Sequence, residues 1–145
     1  MSDPLSFETY LKQHDTLTYT NVGVSMLPLL RQGKDLFTVH RKGPERCKVG
    51  DVVLYRHGND YVLHRVIEAR LQDYVILGDN CLTKEYGVTD TDIIGIMTSY
   101  VRGGKEYSVN SSGYRCYSFL MLHSIPLRIA MKKGIIKIKR WIKKR

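Results

Sequence analysis

The sequence has no apolar run that approaches the roughly 20 residues needed for a membrane-spanning helix. Its first 15 residues also lack a basic start followed by an apolar stretch, because Asp3, Glu8 and Asp15 interrupt this region. The beginning of the chain therefore does not resemble a secretory signal peptide. From these two absences we expect a cytoplasmic or peripheral membrane protein with no transmembrane span and no signal peptide.

Cysteine is scarce, and the three cysteines, Cys47, Cys81 and Cys116, are an odd number without the paired spacing of a zinc site. The sequence contains neither a CxxC nor an HExxH motif. Reduced thiols are the simplest interpretation of this pattern. We therefore expect no metal site and no cofactor.

Acidic residues are missing from residues 131–145, which contain eight lysines and arginines. This segment supplies nearly all of the formal net charge of +9, so the other 130 residues are close to neutral. If residues 127–142 form a helix, an apolar stripe comprises Leu127, Met131, Ile135, Ile138 and Ile142. The pattern is typical of a helix that lies on an anionic membrane surface. The predicted lipid contacts are Lys132, Lys133, Lys137, Arg140 and Lys144.

Two other interpretations of this basic tail remain open. The helix could pack its apolar stripe against the body and leave a solvated basic face. It could also bind nucleic acid, because a basic stretch neutralises phosphate. A nearly neutral body without a basic, aromatic sheet face makes nucleic acid the less favoured partner.

Short segments with β-forming residues alternate with turn signals through most of the chain. They predict strands at 17–24, 36–41, 52–56, 61–68, 74–77, 93–101 and 106–109. A helix is expected at 4–14, with Leu5, Tyr10 or Leu11 facing inward, and helical character returns after about Tyr117. The pattern favours a mainly β barrel or sandwich over residues 1–113, followed by an amphipathic basic helical tail over 114–145.

Ser25 lies where the predicted first strand meets a break in the chain. Gly23 precedes it by two residues and Pro28 follows it by three. Glycine permits a close backbone approach and proline stops a regular element, so a hydroxyl can be held at a fixed corner. By itself this pattern is equally typical of a solvated turn serine.

His64 is predicted to lie in the middle of a strand, on the same face as Val62 and Val66. Such a histidine is commonly structural, but its imidazole could also act as a general base near neutral pH. Asp79, in Gly78-Asp79-Asn80, and Glu85, six residues later, are ordinary turn or surface acids when taken singly.

Four motifs in order carry a more specific signal: Gly23-Val24-Ser25-Met26-Leu27-Pro28, then Gly50-Asp51-Val52-Val53, then His64-Arg65-Val66-Ile67, then Gly78-Asp79-Asn80. Over residues 22–95 this order resembles the serine peptidases that include type I signal peptidases and LexA-type self-cleaving domains. The resemblance implies a signal peptidase- or LexA-like catalytic core of β-barrel type. It also implies a Ser25 nucleophile.

The general base of the bacterial and LexA-like members is a lysine, and His64 occupies that position here. This resembles the endoplasmic-reticulum and archaeal type, which uses serine, histidine and an acid. Asp79 matches the family's acidic box and is the first choice for the catalytic acid. Glu85, which lies near a further acid of the eukaryotic type, is its close competitor. Gly23 replaces a serine that often assists the oxyanion hole, and Gly23 and Met26 are the predicted oxyanion or substrate-binding residues.

The function implied is a serine endopeptidase that binds its substrate as an extended strand. No anchor precedes Ser25 and no helix-turn-helix region is present, so we expect a specialised enzyme that removes a leader from an exported or modified peptide. Two alternatives remain: a catalytically idle peptide-binding relative, suggested by Gly23, and a membrane-surface protein that acts through its basic tail.

Overall fold

The computed structural model describes residues 6–144 of the chain. The elements, in chain order, are α1 (Phe7–His14), β1 (Thr16–Thr20), β2 (Leu36–Arg41), β3 (Val52–His57), β4 (Asp60–Ala69), β5 (Tyr74–Leu77), β6 (Glu85–Val88), β7 (Ile93–Arg102), β8 (Lys105–Ser108), α2 (Ser112–His123) and α3 (Ile125–Lys143). The expectation of a mainly β protein with a short N-terminal helix and a C-terminal helix is confirmed.

Helix α1 begins at a serine cap, since the Ser6 hydroxyl accepts a hydrogen bond from the Thr9 N–H at 3.2 Å. Phe7 and Leu11, four residues apart, bury their side chains on one face of the helix. The inward position predicted for Leu11 is confirmed, and Tyr10 is only partly buried. Leu5 lies outside the described residues.

The strands form one antiparallel sheet in the order β1-β2-β7-β3-β4-β5-β6, and β8 pairs with β7. Within residues 6–144, the edge strands β1 and β6 do not pair with each other. The prediction of a barrel-type core is therefore wrong, because the sheet does not close. Strand β5 pairs with β4 only from Arg65 to Ala69, so no described strand covers the first half of β4 on that side.

The predicted bounds of β2 and β5 are confirmed. Strand β1 ends at Thr20 rather than Val24, because Asn21 begins a turn: its N–H bonds to the Asp35 carbonyl and its own carbonyl accepts from Gly33. Strand β6 was not predicted. Of its four residues at the edge of the sheet only Val88 is buried, and Gly87 interrupts the segment, so there is little apolar alternation.

Strand β3 separates two hydrophobic clusters, because alternate residues of a strand face opposite sides. Val52 and Leu54 belong to the larger cluster, which also includes Phe7 and Leu11 of α1. Val53 and Tyr55 belong to the smaller one. Both faces of β3 are thus buried, and its neighbour β4 directs successive side chains into two different environments.

Helix α2 begins at Ser112, five residues before the predicted start near Tyr117. The Ser111 hydroxyl caps it by accepting from the Tyr114 N–H, and Tyr114 is buried in the larger cluster. The predicted boundary between residues 113 and 114 consequently lies inside α2, and this helix packs on the sheet. In the described part of the chain, no helix combines the length and hydrophobicity needed to cross a membrane.

Candidate functional site

Ser25 lies in an irregular turn, residues 21–30, that follows β1. The buried Asn21 amide donates to the carbonyls of Gly23 and Leu30, both at 3.3 Å, and so holds the two ends of this turn together. Gly23 has φ +83°, a backbone conformation that residues with a β-carbon rarely adopt. The glycine before Ser25 is therefore explained by the path of the backbone.

A second loop, residues 78–80, is hydrogen-bonded to the Ser25 turn. The Asn80 N–H donates to the Ser25 carbonyl at 2.8 Å, and the Asn80 side-chain amide donates to the Val24 carbonyl at 3.1 Å. The Asp79 N–H contacts the Met26 sulfur at 3.5 Å. The Gly-Asp-Asn motif thus has a visible structural role, which is to fix the backbone on both sides of the serine.

Gly78 lies between the Ser25 turn and the His64 ring. A β-carbon at this position would lie 2.8 Å from the Ser25 carbonyl oxygen and 3.0 Å from His64 Cδ2. Both distances are below ordinary van der Waals contact, so a larger residue would push the turn and the imidazole apart. Residues that are 39 positions apart in the sequence therefore meet across one glycine.

Ser25 and His64 line the same groove, which has a volume of about 510 Å³. Its apolar walls come from α1, β1, β2 and β4 and include Phe7, Tyr19, Phe37, Tyr61 and Leu63. In the described chain the Ser25 hydroxyl makes no hydrogen bond with His64. Catalytic hydrogen bonds are often long or unformed without substrate, so this arrangement is compatible with a serine that rotates toward the ring.

The His64 ring is held by a chain of hydrogen bonds. Its Nδ1 lies 3.2 Å from the Tyr55 hydroxyl, which donates its proton to Glu85 Oε2 at 2.5 Å. Because that hydroxyl has one proton and gives it to Glu85, its oxygen is left to accept from Nδ1–H. The neutral imidazole then carries its proton on Nδ1 and leaves Nε2 unprotonated, as a general base requires.

Glu85 is the acid that influences His64 most. Burial lowers the pKa of the His64 imidazole, and the negative charges of Glu85 and, less strongly, Asp79 raise it without cancelling that effect. The second oxygen of Glu85 lies 2.8 Å from Nδ1 of His57, which is exposed at the end of β3. Glu85 is thus connected to His64 through Tyr55 rather than by direct contact.

Asp79 is turned away from His64. His64 and Arg65 are consecutive residues of β4, so their side chains face opposite sides of the strand. Asp79 lies on the Arg65 side. The Arg65 guanidinium donates to both carboxylate oxygens of Asp79 at 2.8 Å, and the Tyr117 hydroxyl donates to Oδ2 at 2.9 Å. The side chains of Arg65 and Asp79 are 1% and 2% exposed.

Arg65 joins this ion pair to α2. Its Nη1 donates to the Gly50 carbonyl at 2.9 Å, to the Tyr114 hydroxyl at 3.1 Å and to the Ser118 hydroxyl at 2.9 Å. Burial lowers the pKa of Arg65, but its hydrogen bonds and charge interaction with Asp79 outweigh burial, so the pKa is raised and the guanidinium stays charged. Of the two predicted acids, Asp79 stabilises the fold behind the site and Glu85 belongs to the hydrogen-bond chain of His64.

The two other predicted residues lie beside Ser25 but do not place side chains in the groove. Gly23 has none, and the Met26 side chain is 1% exposed within the larger cluster. The backbone N–H groups of Ser25 and Met26 make no hydrogen bond within the described chain. They are therefore the donors available to an oxyanion at this turn.

The open half of β4 borders the same groove. Val66 bonds to Asp51 on the β3 side, and alternate residues of an antiparallel strand direct their backbone groups to opposite neighbours. The backbone N–H and carbonyl groups of Tyr61 and Leu63 consequently point to the side of β4 that no described strand covers. The Tyr61 N–H is taken by the Asp60 carboxylate at 2.8 Å, which leaves both backbone groups of Leu63 available.

Three residues around the site were not predicted from the sequence to have a role there: Tyr55, Arg65 and Asn80. A signal existed for Arg65, since a charged residue within the apolar strand 61–67 must be buried on one face and needs an acid nearby. Tyr55 gave no such signal, because a tyrosine in a strand is equally suited to core packing. Only the pairing of β3 with β4, which places Tyr55 beside Val62 and Val53 beside His64, brings its hydroxyl to the imidazole.

The chain was compared with protein-family models and with curated proteins, and neither comparison gives a match. The geometry of the groove and the motif resemblance are therefore the basis for proposing a function.

Proposed function

We propose that this protein is a serine endopeptidase of the signal peptidase-like group, with Ser25 as nucleophile and His64 as general base. The observation that carries the proposal is the environment of His64. Its Nδ1 side is occupied by the Tyr55–Glu85 hydrogen-bond chain, and its ring borders the groove that also contains Ser25. A merely structural histidine needs neither a fixed tautomer nor a neighbouring serine turn.

The reaction follows the general scheme for serine nucleophiles. Nε2 of His64 accepts the hydroxyl proton as Ser25 Oγ attacks the scissile carbonyl, and the imidazolium then donates that proton to the leaving amine. Water then hydrolyses the acyl-enzyme, and His64 again acts as the general base. The N–H groups of Ser25 and Met26 would donate to the oxyanion, a role for which a side chain at Gly23 is not required.

The open edge of β4 supports binding of the substrate as an extended strand. A peptide beside residues 60–64 would pair with Leu63 and lie between β4 and the end of β1. Backbone pairing gives affinity, and the apolar walls of the groove favour apolar side chains. This arrangement fits the removal of a leader segment, which is cleaved while it is extended and unfolded.

A fluorophosphonate probe tests whether Ser25 is an activated nucleophile. We expect the folded protein to be labelled at one residue, Ser25, as located by mass spectrometry. His64→Gln keeps the serine but removes the base, so labelling should fall at least tenfold, and heat-denatured protein should not be labelled. Ser112→Ala, at an exposed position in the first turn of α2, is the matched control and should label normally.

Absence of labelling, or equal labelling of the Ser25→Ala variant, would contradict the proposal. If an unlabelled protein still bound extended peptides, the protein would be a catalytically idle peptide-binding relative.

Replacing Glu85 by glutamine tests the hydrogen-bond chain. We expect the maximal rate of peptide cleavage to fall about 10- to 100-fold, because the contact with His64 passes through Tyr55. Glu85 raises the pKa of His64 by its charge, so the acid limb of the pH–rate profile should also move to lower pH. Glu106→Gln, on the exposed strand β8, is the control and should change neither quantity.

Tyr55→Phe should lower the rate in the same way, since it breaks both hydrogen bonds of the chain. An unchanged acid limb in the Glu85→Gln variant would mean that Glu85 has no electrostatic connection to the catalytic base.

A further inference from the structure

We infer that α3 binds the surface of an anionic lipid bilayer, with its exposed apolar stripe inserted and its basic residues at the lipid headgroups. This inference concerns a surface separate from the groove and does not depend on the proposed peptidase activity.

The apolar stripe of α3 faces away from the body of the protein. Its residues are large and apolar, yet they are between 50% and 63% exposed: Leu127, Met131, Ile135, Ile138 and Ile142. They recur every three or four residues and therefore share one side of the helix. In the described structure this stripe does not pack on the sheet, so the interpretation of a helix that buries it against the body is wrong.

A different side of α3 fixes the helix to the protein. Ile125 is buried, Arg128 donates to the Asp79 carbonyl at 2.7 Å, and Lys132 Nζ donates to the carbonyl and side-chain oxygens of Asn80. Of the predicted lipid contacts, Lys132 is thus engaged within the protein. Beyond residue 134 every described residue of the helix is exposed, including its remaining lysines and arginines.

Charge identifies the partner. Residues 131–145 contain eight basic and no acidic residues, so two copies of α3 would bring like charges together along the whole contact. The phosphates of a nucleic acid would neutralise the basic residues of α3 but would leave the apolar stripe exposed to water. A bilayer with anionic lipids accommodates both features, because apolar side chains enter the acyl boundary and basic residues are attracted to the negative headgroups.

The single tryptophan of the chain allows a direct test. Trp141 borders the stripe and is 58% exposed, so its emission reports on α3 alone. With vesicles of phosphatidylcholine containing one-third phosphatidylglycerol, we expect a blue shift of the full-length protein and quenching by brominated acyl chains. Vesicles of phosphatidylcholine alone should give neither effect, and raised salt should weaken the binding.

Two variants separate the stripe from the charges. Ile135→Asp with Ile138→Asp should abolish the blue shift, and the triple variant Lys133→Glu, Lys137→Glu, Arg140→Glu should weaken binding to anionic vesicles at least tenfold. The matched control, Lys34→Glu with Lys48→Glu and Lys105→Glu, removes the same charge from exposed positions outside α3 and should bind normally. Circular dichroism checks that each variant is folded.

Three results would overturn the inference. The first is no blue shift with anionic vesicles. The second is equal binding by the Ile135→Asp, Ile138→Asp variant, or tighter binding to a DNA duplex than to vesicles, which would mean recognition of charge alone. The third is a lipid-free dimer, seen by sedimentation, that protects Trp141 from an aqueous quencher, because the stripe would then be covered by a second copy.

Discussion

Cleavage of a peptide substrate should become about 10⁴- to 10⁶-fold slower when Ser25 is replaced by alanine, and similarly slow for His64→Ala. The serine supplies the atom that bonds to the substrate, and the histidine moves its proton, so neither residue acts without the other. The variant with both substitutions should therefore be no slower than either single variant. Additive losses would contradict a shared mechanism.

This measurement needs a defined substrate and a folded reference. Quenched fluorescent peptides with alanine or glycine before the scissile bond are suitable, since the resemblance to signal peptidases implies small side chains at that position. Ser118→Ala is not a suitable control, because that hydroxyl accepts from Arg65. Ser108→Ala, in the exposed end of β8, should retain the full rate.

Removal of the Asp79 carboxylate should destabilise the fold strongly. Asp79→Ala leaves the charged Arg65 guanidinium buried without its partner, and such a loss lowers the free energy of unfolding by about 3–5 kcal/mol. Denaturant unfolding of the variant and the parent measures this difference. The retained hydrogen bonds of Arg65 to Gly50, Tyr114 and Ser118 do not replace the lost negative charge.

The chain contains a matched control for this prediction. Asp73 also accepts two hydrogen bonds from one arginine, Arg70, at 2.8 and 2.7 Å, but these side chains are 25% and 41% exposed. Asp73→Ala should lower the free energy of unfolding by clearly less than Asp79→Ala, because water and salt screen an exposed charge. If Asp79→Ala does not fold, Asp79→Asn, which keeps the shape and one acceptor, should show an intermediate loss.

The outcome also separates the two acids. A stable Asp79→Ala protein that has lost cleavage activity would assign Asp79 to the catalytic site, contrary to the geometry. Loss of stability in Asp79→Ala together with loss of rate in Glu85→Gln would agree with the division described above, in which Asp79 holds the fold and Glu85 acts on His64.

Local signals in the sequence were sufficient for much of the secondary structure. Short segments of β-forming residues between turn signals located β2, β5 and most of β3, β4 and β7. The same approach failed for β6, whose exposed residues have no such pattern, and for the start of α2, where the serine cap rather than apolar spacing determines the boundary.

The candidate site was predicted less completely. Ser25, His64 and Asp79 were named from motifs and Glu85 from its position near a family acid, and the motif match favoured Asp79 over Glu85 as the catalytic acid. Asp79 lies two residues after the end of β5 and Glu85 begins β6, and the choice depends on which face of β4 each one approaches. Tyr55 was missed because its role arises entirely from the neighbouring strand.

The sequence alone determined most of the strands, that the tail is basic and amphipathic, and that a serine lies at a glycine-flanked break. Tertiary structure decided that the sheet stays open beside the first half of β4, that Tyr55 joins His64 to Glu85, and that the stripe of α3 faces outward. The physical reason is that hydrophobic periodicity and turn preference act between near neighbours in the chain. Which distant polar groups share a hydrogen bond depends on strand pairing and on the face that each residue occupies.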